Sequence, residues 1–182
     1  MGVRTQLCIE QMSKCLHLAG DVVEFGVSMG TTTFPLAREA TNKLVYAFDT
    51  FEGIPYDDEI KQDEKYVKKG ECRGYNVIKF IEKAKEENCL NIVIVKGLFE
   101  DTTKITDIKD ICFAWLDADV YQATKVAWEY VEKRLVIQGI VGFHDYTFSR
   151  CPGVKKVVDT IDREKFEVIR FQSNCVFLRR IK

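Results

Sequence analysis

The stretch Asp21-Val22-Val23-Glu24-Phe25-Gly26-Val27-Ser28-Met29-Gly30 constrains the fold more than any other part of the chain. It opens as an apolar run with one acid near its end, then breaks at two glycines four residues apart. Thr31, Thr32, Thr33 and Pro35 follow, and after them Leu36-Ala37-Arg38-Glu39-Ala40. Threonine supplies an N-cap oxygen and proline suits a first helical turn, so the segment reads as buried strand, tight turn and helix start. A strand that runs into a glycine turn and a helix N-terminus is the ligand-binding corner of a doubly wound α/β sheet. Glycine at such a corner admits positive φ and lets a ligand approach the backbone.

The spacing narrows the ligand. A dinucleotide pyrophosphate calls for G-x-G-x-x-G, which is absent, and no G-K-[ST] follows to make a P-loop. An acid ahead of the first glycine repels a phosphate and suits a cation. Glu24-x-Gly26-x-x-x-Gly30 resembles the first motif of class I S-adenosylmethionine (SAM) methyltransferases, whose cofactor carries a sulfonium, an ammonium and no phosphate. A purely structural strand-to-helix turn is the other reading of the same residues.

Along the rest of the chain, apolar positions at helical spacing over residues 4–18, ended by Gly20, predict an amphipathic helix covering the sheet. The first strand, Asp21–Gly26, leads into a helix reaching about Thr41, and Lys43–Asp49 is the second strand, again ending in an acid. Residues 53–72 are polar and long for a connection, which marks a lid or acceptor loop. A charged helical pattern over Glu71–Asn88 leads to a third strand, Asn91–Val95. Ile111–Asp119 is the fourth strand, Tyr121–Arg134 a helix, and Gln138-Gly139 a turn into the fifth strand, Ile140–Phe143. Pro152-Gly153 opens a helix over Val154–Arg163, and Lys165–Phe171 with Asn174–Arg179 forms a closing antiparallel hairpin. The order predicts a single Rossmann-like domain over residues 1–182, three layers α/β/α, with a mostly parallel seven-stranded sheet.

Ligands in such sheets sit beyond the carboxyl ends of the strands. Those ends here carry Glu24, Asp49, Gly97, Asp117 with Asp119, and His144-Asp145, and none carries Lys or Arg. Carboxylates gathered at one place repel each other and raise their own pKa values, so a cationic ligand, a metal ion or both are expected to offset them. Asp117, His144 and Asp145 end strands four and five, and two carboxylates with an imidazole suit Mg²⁺, or Mn²⁺ given the nitrogen. The alternative is a helix-capping acid and a His144 packed on Tyr146.

The net charge of −1, from 27 basic and 28 acidic residues, makes no field for nucleic acid or a membrane surface. The apolar runs are strand-length and residues 1–20 lack a signal-peptide layout. Seven scattered cysteines with no C-x-x-C read as reduced, cytoplasmic thiols, most of them packing as small hydrophobes. None of the seven is expected among the converging acids, with Cys151 the nearest in sequence.

Several blocks in order carry a wider resemblance. They are Val22–Val27, Phe48-Asp49-Thr50-Phe51-Glu52-Gly53-Ile54-Pro55, Lys96–Thr102, Leu116–Thr124, His144-Asp145-Tyr146 and Cys151–Asp159. Over residues 20–178 the chain resembles the macrocin O-methyltransferase family, SAM- and metal-dependent enzymes that methylate sugar hydroxyls. The resemblance implies that Glu24, Gly26, Ser28, Gly30 and Thr31 hold the methionine part of SAM. It places the ribose at Asp49, with Thr50 and Phe51 beside it, and the adenine near Gly97, Leu98 and Phe99. Asp117 and Asp145 would bind the metal, with His144 where the family has an acid; Asp117, which also borders the cofactor, would be the base and His144 the second candidate. The chain begins about twenty residues before the first strand, shorter than the arm that encloses the acceptor in many relatives, which implies a larger acceptor or a more open site. The acceptor is expected to be a glycan or other small molecule, and a homodimer is compatible with the sequence. A catechol-type O-methyltransferase would share these residues, and a non-catalytic SAM-binding module is the reading from outside enzymes. An NAD-dependent reductase is disfavoured by the absence of G-x-G-x-x-G and of a Tyr-x-x-x-Lys pair.

Overall fold

Segments rich in Val, Ile, Phe and Trp become strands because a pleated backbone sends alternate side chains to opposite faces. In the computed structural model, which describes residues 2–57 and 67–182, these are β1 (Asp21–Phe25), β2 (Val45–Asp49), β3 (Ile92–Lys96), β4 (Ile111–Leu116), β5 (Leu135–Phe143), β6 (Phe166–Gln172) and β7 (Cys175–Arg180). The helices between them are α1 (Val3–Ser13), α2 (Thr33–Glu39), α3 (Val77–Glu86), α4 (Phe99–Ile105), α5 (Tyr121–Glu132) and α6 (Pro152–Asp159). The strands form one sheet in the order β3-β2-β1-β4-β5-β7-β6. Pairings up to β4–β5 are parallel, and β5–β7 and β6–β7 are antiparallel. The three-layer α/β/α domain with a closing hairpin is therefore as the sequence predicts.

Alternation along the strands divides the core in two. Val23, Phe25, Ala114 and Leu116 face α5 and α6, where Ala127, Trp128, Val154 and Val158 meet them. Val22, Ala47, Phe113 and Trp115 face the other way, against Leu7 and Met12 of α1, Leu36 of α2 and Phe80 of α3. Burying a side chain such as Phe113 or Trp115 contributes about 1.5–3 kcal/mol or more, so both layers are needed to hold the strand ends in register. No helix among the described residues is long and apolar enough to cross a membrane.

Several boundaries differ from the sequence reading: β4 stops at Leu116 and not Asp119, the last helix stops at Asp159 and not Arg163, and α4 was not expected. Three further differences have a local reason. The first helix stops at Ser13, not near residue 18: the Ser13 hydroxyl donates back to the Ile9 carbonyl (2.8 Å), and Cys15 N–H turns to Met12 O (2.9 Å). Cys15 stays buried through that tight turn, so the apolar spacing outlasts the helix. The third helix starts at Val77 because Asn76 caps it, its side chain accepting from Lys79 N–H at 2.9 Å. The fifth strand begins at Leu135 and runs through Gln138-Gly139, which is a bulge and not a turn. Its register moves five residues along β5 for two along β4, with Gln138 at φ 67°. The middle of the expected lid, residues 58–66, lies outside the described residues.

The switch point of the sheet lies where β1 is flanked by β2 on one side and β4 on the other. There the chain leaves β1 through Gly26, at φ +87°, whose N–H bonds Phe48 O of β2 (2.8 Å). A Cβ on Gly26 would overlap the Asp117 carbonyl oxygen at the end of β4. Close approach of three strand ends thus depends on a residue with no side chain.

Gly26→Ala should cost several kcal/mol, because the turn must open and β4 must move. Gly70→Ala has nearly the same φ of +86° and open space around the added Cβ, so it should cost only about 1–2 kcal/mol. Urea unfolding of the two variants checks this, and equal losses would mean that the Asp117 contact is not the constraint.

Candidate active site

The carboxyl ends of β1, β2, β4 and β5 open into a cavity of about 660 Å³. Glu24, Gly26, Ser28, Thr31, Asp49, Thr50, Phe99, Asp117, His144 and Asp145, all expected from the sequence, lie on its wall. Gly30, Phe51, Gly97 and Leu98 do not. Gly30 is turned onto the Phe34 ring and faces a neighbouring groove. Phe51 packs edge-on against Phe80 (5.3 Å) in the α1–α3 layer. Gly97 sits against Thr102, and Leu98 points outward, 39% exposed.

Four non-glycine residues at these strand ends, Ser28, Phe51, Asp119 and Asp145, have φ between 48° and 59°. Such left-handed backbone costs about 1–3 kcal/mol per residue and tends to gather where a ligand is held. The neighbouring strands and loops over-determine it here. Tyr146 N–H donates to Asn174 O (2.9 Å) and Thr147 to the Asn174 side chain (2.7 Å), so the β6–β7 turn pins the loop that follows β5.

Asp117 leaves β4 and His144-Asp145 leaves β5, adjacent parallel strands paired Leu116 to Phe143. His144 Nδ1 lies 3.0 Å from Asp117 Oδ1 and 3.0 Å from Asp145 Oδ2. It meets neither oxygen along a hydrogen-bonding line and is otherwise buried without a partner. Burial alone would depress the imidazole, but the two carboxylates outweigh it and raise its pKa to about 10. A buried nitrogen and two carboxylate oxygens that converge without bonding one another form a donor set that fits a hard or borderline divalent cation.

Glu24 lies deeper, about 1% exposed, and its Oε2 has no hydrogen-bond partner. Burial moves its pKa from the ordinary 4.5 to about 8, Asp117 and Asp49 adding to the rise against the Thr33 hydroxyl and Arg4. Asp49 is already engaged: Oδ2 accepts Val27 N–H (2.8 Å) and Ser28 N–H (3.0 Å), and Oδ1 accepts Phe51 N–H (2.6 Å). A carboxylate offers about four acceptor positions, so roughly one remains for a ribose hydroxyl. Its larger task is to tie the end of β2 to the turn after β1.

Sequence reasoning missed four side chains at the cavity. Arg4 of α1 reaches Asp117 Oδ2 (3.0 Å) and the Thr31 hydroxyl (3.3 Å), so a cation does stand among the acids. Nothing local marks it, since 113 residues separate the pair. Asp119 was visible at a strand end but had no role; burial, then Asp117 and Asp145, raises its pKa to about 8. The expectation that no thiol joins the acids is corrected. Cys151 Sγ lies 3.7 Å from Asp145 Oδ2 and 3.8 Å from Asp119 Oδ1, and Cys72 also adjoins Asp119. Cys151 gets there because the chain folds back through Cys151 N–H to Phe148 O (3.0 Å) before Pro152 starts α6.

The family model described as macrocin-O-methyltransferase (TylF) matches residues 4–180. Among solved structures, the O-methyltransferase NovP superposes with a TM-score of 0.84 at 21% identity, covering 98% of this chain and 80% of NovP. CalS11, a calicheamicin methyltransferase described in its apo form as TDP-rhamnose 3′-O-methyltransferase, gives 0.81 at 19% identity over 97% of this chain and 78% of its own. SMU.1697c from Streptococcus mutans, solved in complex with SAH, gives 0.70 at 18% identity over 100% and 99%. A search of curated proteins gives no match.

The raised Glu24 pKa sets a sign for pH dependence. An acid whose folded pKa lies above its unfolded one contributes its stability below about 4.5 and loses it as pH climbs through about 8. Glu24→Gln should therefore gain in melting temperature over the ligand-free wild type as pH rises from 5 to 9. A constant offset across that range would contradict the buried carboxyl. Asp49→Ala should lower stability at every pH, because three backbone N–H groups lose their acceptor.

Proposed function

Because this chain belongs to the macrocin O-methyltransferase family and is an O-methyltransferase, we propose that it transfers the methyl group of SAM to a sugar hydroxyl with the help of a divalent cation. The observation that carries the reading is the convergence of His144 Nδ1 on Asp117 Oδ1 and Asp145 Oδ2 in the same cavity as Glu24, Gly26 and Ser28. The sugar acceptor is supported by the family description and by CalS11, and the donor by SMU.1697c with SAH.

Glu24, Gly26, Ser28 and Thr31 would surround the methionine part of the donor, with Phe99 at the nucleoside side. Asp117, His144 and Asp145 would hold the cation, which when bound lowers the pKa of a coordinated hydroxyl and fixes its oxygen. A sugar hydroxyl is a poor nucleophile until its proton leaves, so a base must stand beside it. Asp117 suits that role: it stands at the end of β4 facing both the Gly26 turn and the His144 loop. His144 is the weaker base, because the lone pair of its Nδ1 would be taken up by the cation. In-line approach of oxygen to the methyl carbon then rests on positioning by the cavity walls.

Turnover should vanish in EDTA and return with Mg²⁺ or Mn²⁺. Asp117→Asn should lower kcat by at least about a hundredfold, the usual worth of a general base. Asp145→Asn, asparagine being at ease in the left-handed backbone at φ 57°, should also lose turnover, and His144→Asp should keep it. Mass spectrometry of products from a panel of glycosides and catechols separates the sugar acceptor from an aromatic one. Full activity in chelator would refute the cation, and methylation of catechols alone would refute the sugar.

A further inference from the structure

Among the described residues, six carboxylates face the cavity, Glu24, Asp49, Glu100, Asp117, Asp119 and Asp145, against three basic side chains, Arg4, His144 and Arg150. A methionine-bearing donor brings an α-carboxylate as well as its cations, and that anion needs a counter-charge in so acidic a place. Arg150 is committed elsewhere: Nη2 donates to Glu71 Oε2 (2.6 Å), and its carbonyl accepts Val67 N–H (3.1 Å). His144 lies between Asp117 and Asp145.

Arg4 is placed differently. Its fork spans two sites, Nη1 on Asp117 Oδ2 at 3.0 Å and Nη2 on the Thr31 hydroxyl at 3.3 Å. Thr31 belongs to the β1–α2 turn, beside the residues that would take the methionine part. The next residue anchors the helix there, Thr5 Oγ1 donating to Thr31 O (3.3 Å), so α1 cannot carry the guanidinium away without breaking that contact. A guanidinium has five donors in a planar fork matched to a carboxylate, and two are in use.

We propose that Arg4 is the counter-charge for the α-carboxylate of the methyl donor, and that its bond to Asp117 couples donor binding to cation binding. The proposal rests on the SAM reading above. In the ligand-free protein the guanidinium neutralises Asp117. A cation held by Asp117, His144 and Asp145 takes over that role and frees Nη1 for the donor. Each ligand then strengthens the other by the same factor, as linkage requires. Cation and Arg4 compete for Asp117 when the donor is absent.

The test is calorimetry on wild type and Arg4→Met with two probes: SAH, and its decarboxylated analogue, which keeps the ammonium and lacks only the carboxylate. Wild type should bind SAH about 10- to 100-fold more tightly than the analogue, the worth of a charge-assisted pair, and Arg4→Met should bind the two alike. Mn²⁺ should tighten SAH binding about fivefold or more in wild type and have little effect in Arg4→Met. Mn²⁺ titration of the ligand-free proteins, followed by electron paramagnetic resonance, should show tighter binding to Arg4→Met than to wild type. A merely structural role would weaken both ligands in the variant. Equal losses for SAH and the analogue, or weaker Mn²⁺ binding, would overturn the proposal while leaving the SAM reading intact. Wild type failing to bind SAH at all would overturn the SAM reading and this one with it. Should Arg4→Met not fold, Arg4→Lys, with charge but no fork, should show a smaller loss confined to SAH; an unchanged SAH-to-analogue ratio would again overturn it.

Discussion

Carboxylates crowded at one edge of a sheet repel one another, and the rest of this structure is arranged around that repulsion. Three groups raised in pKa, Glu24, Asp119 and His144, record it: two acids are pushed up by burial and by their neighbours, and an imidazole is pushed up by the acids it faces. Arg4 and His144 offset part of the charge from within the chain. A protein that needed only stability would gain by replacing such groups with apolar side chains of similar volume. Keeping them makes sense where a cation and a cationic methyl donor supply the remaining balance.

Holding like charges together takes a rigid frame. Gly26 lets β1 touch the end of β4, and the Leu116–Phe143 pairing sets Asp117 beside His144 and Asp145. Asp49 uses its carboxylate to fasten β2 to the turn after β1, so one side chain both lines the cavity and builds it. The β6–β7 turn secures the His144-Asp145 loop through Asn174. Each of these is a contact between segments distant in sequence, made possible by the two apolar layers that close over the sheet.

That division explains what could be read from the chain. The strands and the helices other than α4 in their succession along the chain, the glycine turn and the acids at the strand ends were legible because each is a local pattern: period two, period 3.6, or a residue type just past an apolar run. Element limits were less so, since the Ser13 back-bond and the Asn76 cap compete with propensity over single residues. The β5 bulge at Gln138 looked like a turn because positive φ and Gly139 carry the same local signature in both. Arg4 was invisible, as an arginine in a first helical turn says nothing of an aspartate 113 residues on. Cys72 was hidden for the same reason; Cys151, six residues from Asp145, was the nearest thiol in sequence, but the fold-back that brings it to the acids has no local signature. Asp49 was correctly placed at the wall but is mostly spoken for by backbone N–H groups.

The central claim is that Asp117, His144 and Asp145 form a cation site within the methyl-donor cavity. Anomalous diffraction at the manganese edge, from crystals grown with SAH and Mn²⁺, tests it most directly. The account predicts one strong peak within coordination distance of Asp117, His144 Nδ1 and Asp145, with SAH extending from it toward Gly26. A well-ordered SAH with no peak there, or with the peak instead among Asp119, Asp145 and Cys151, would contradict it.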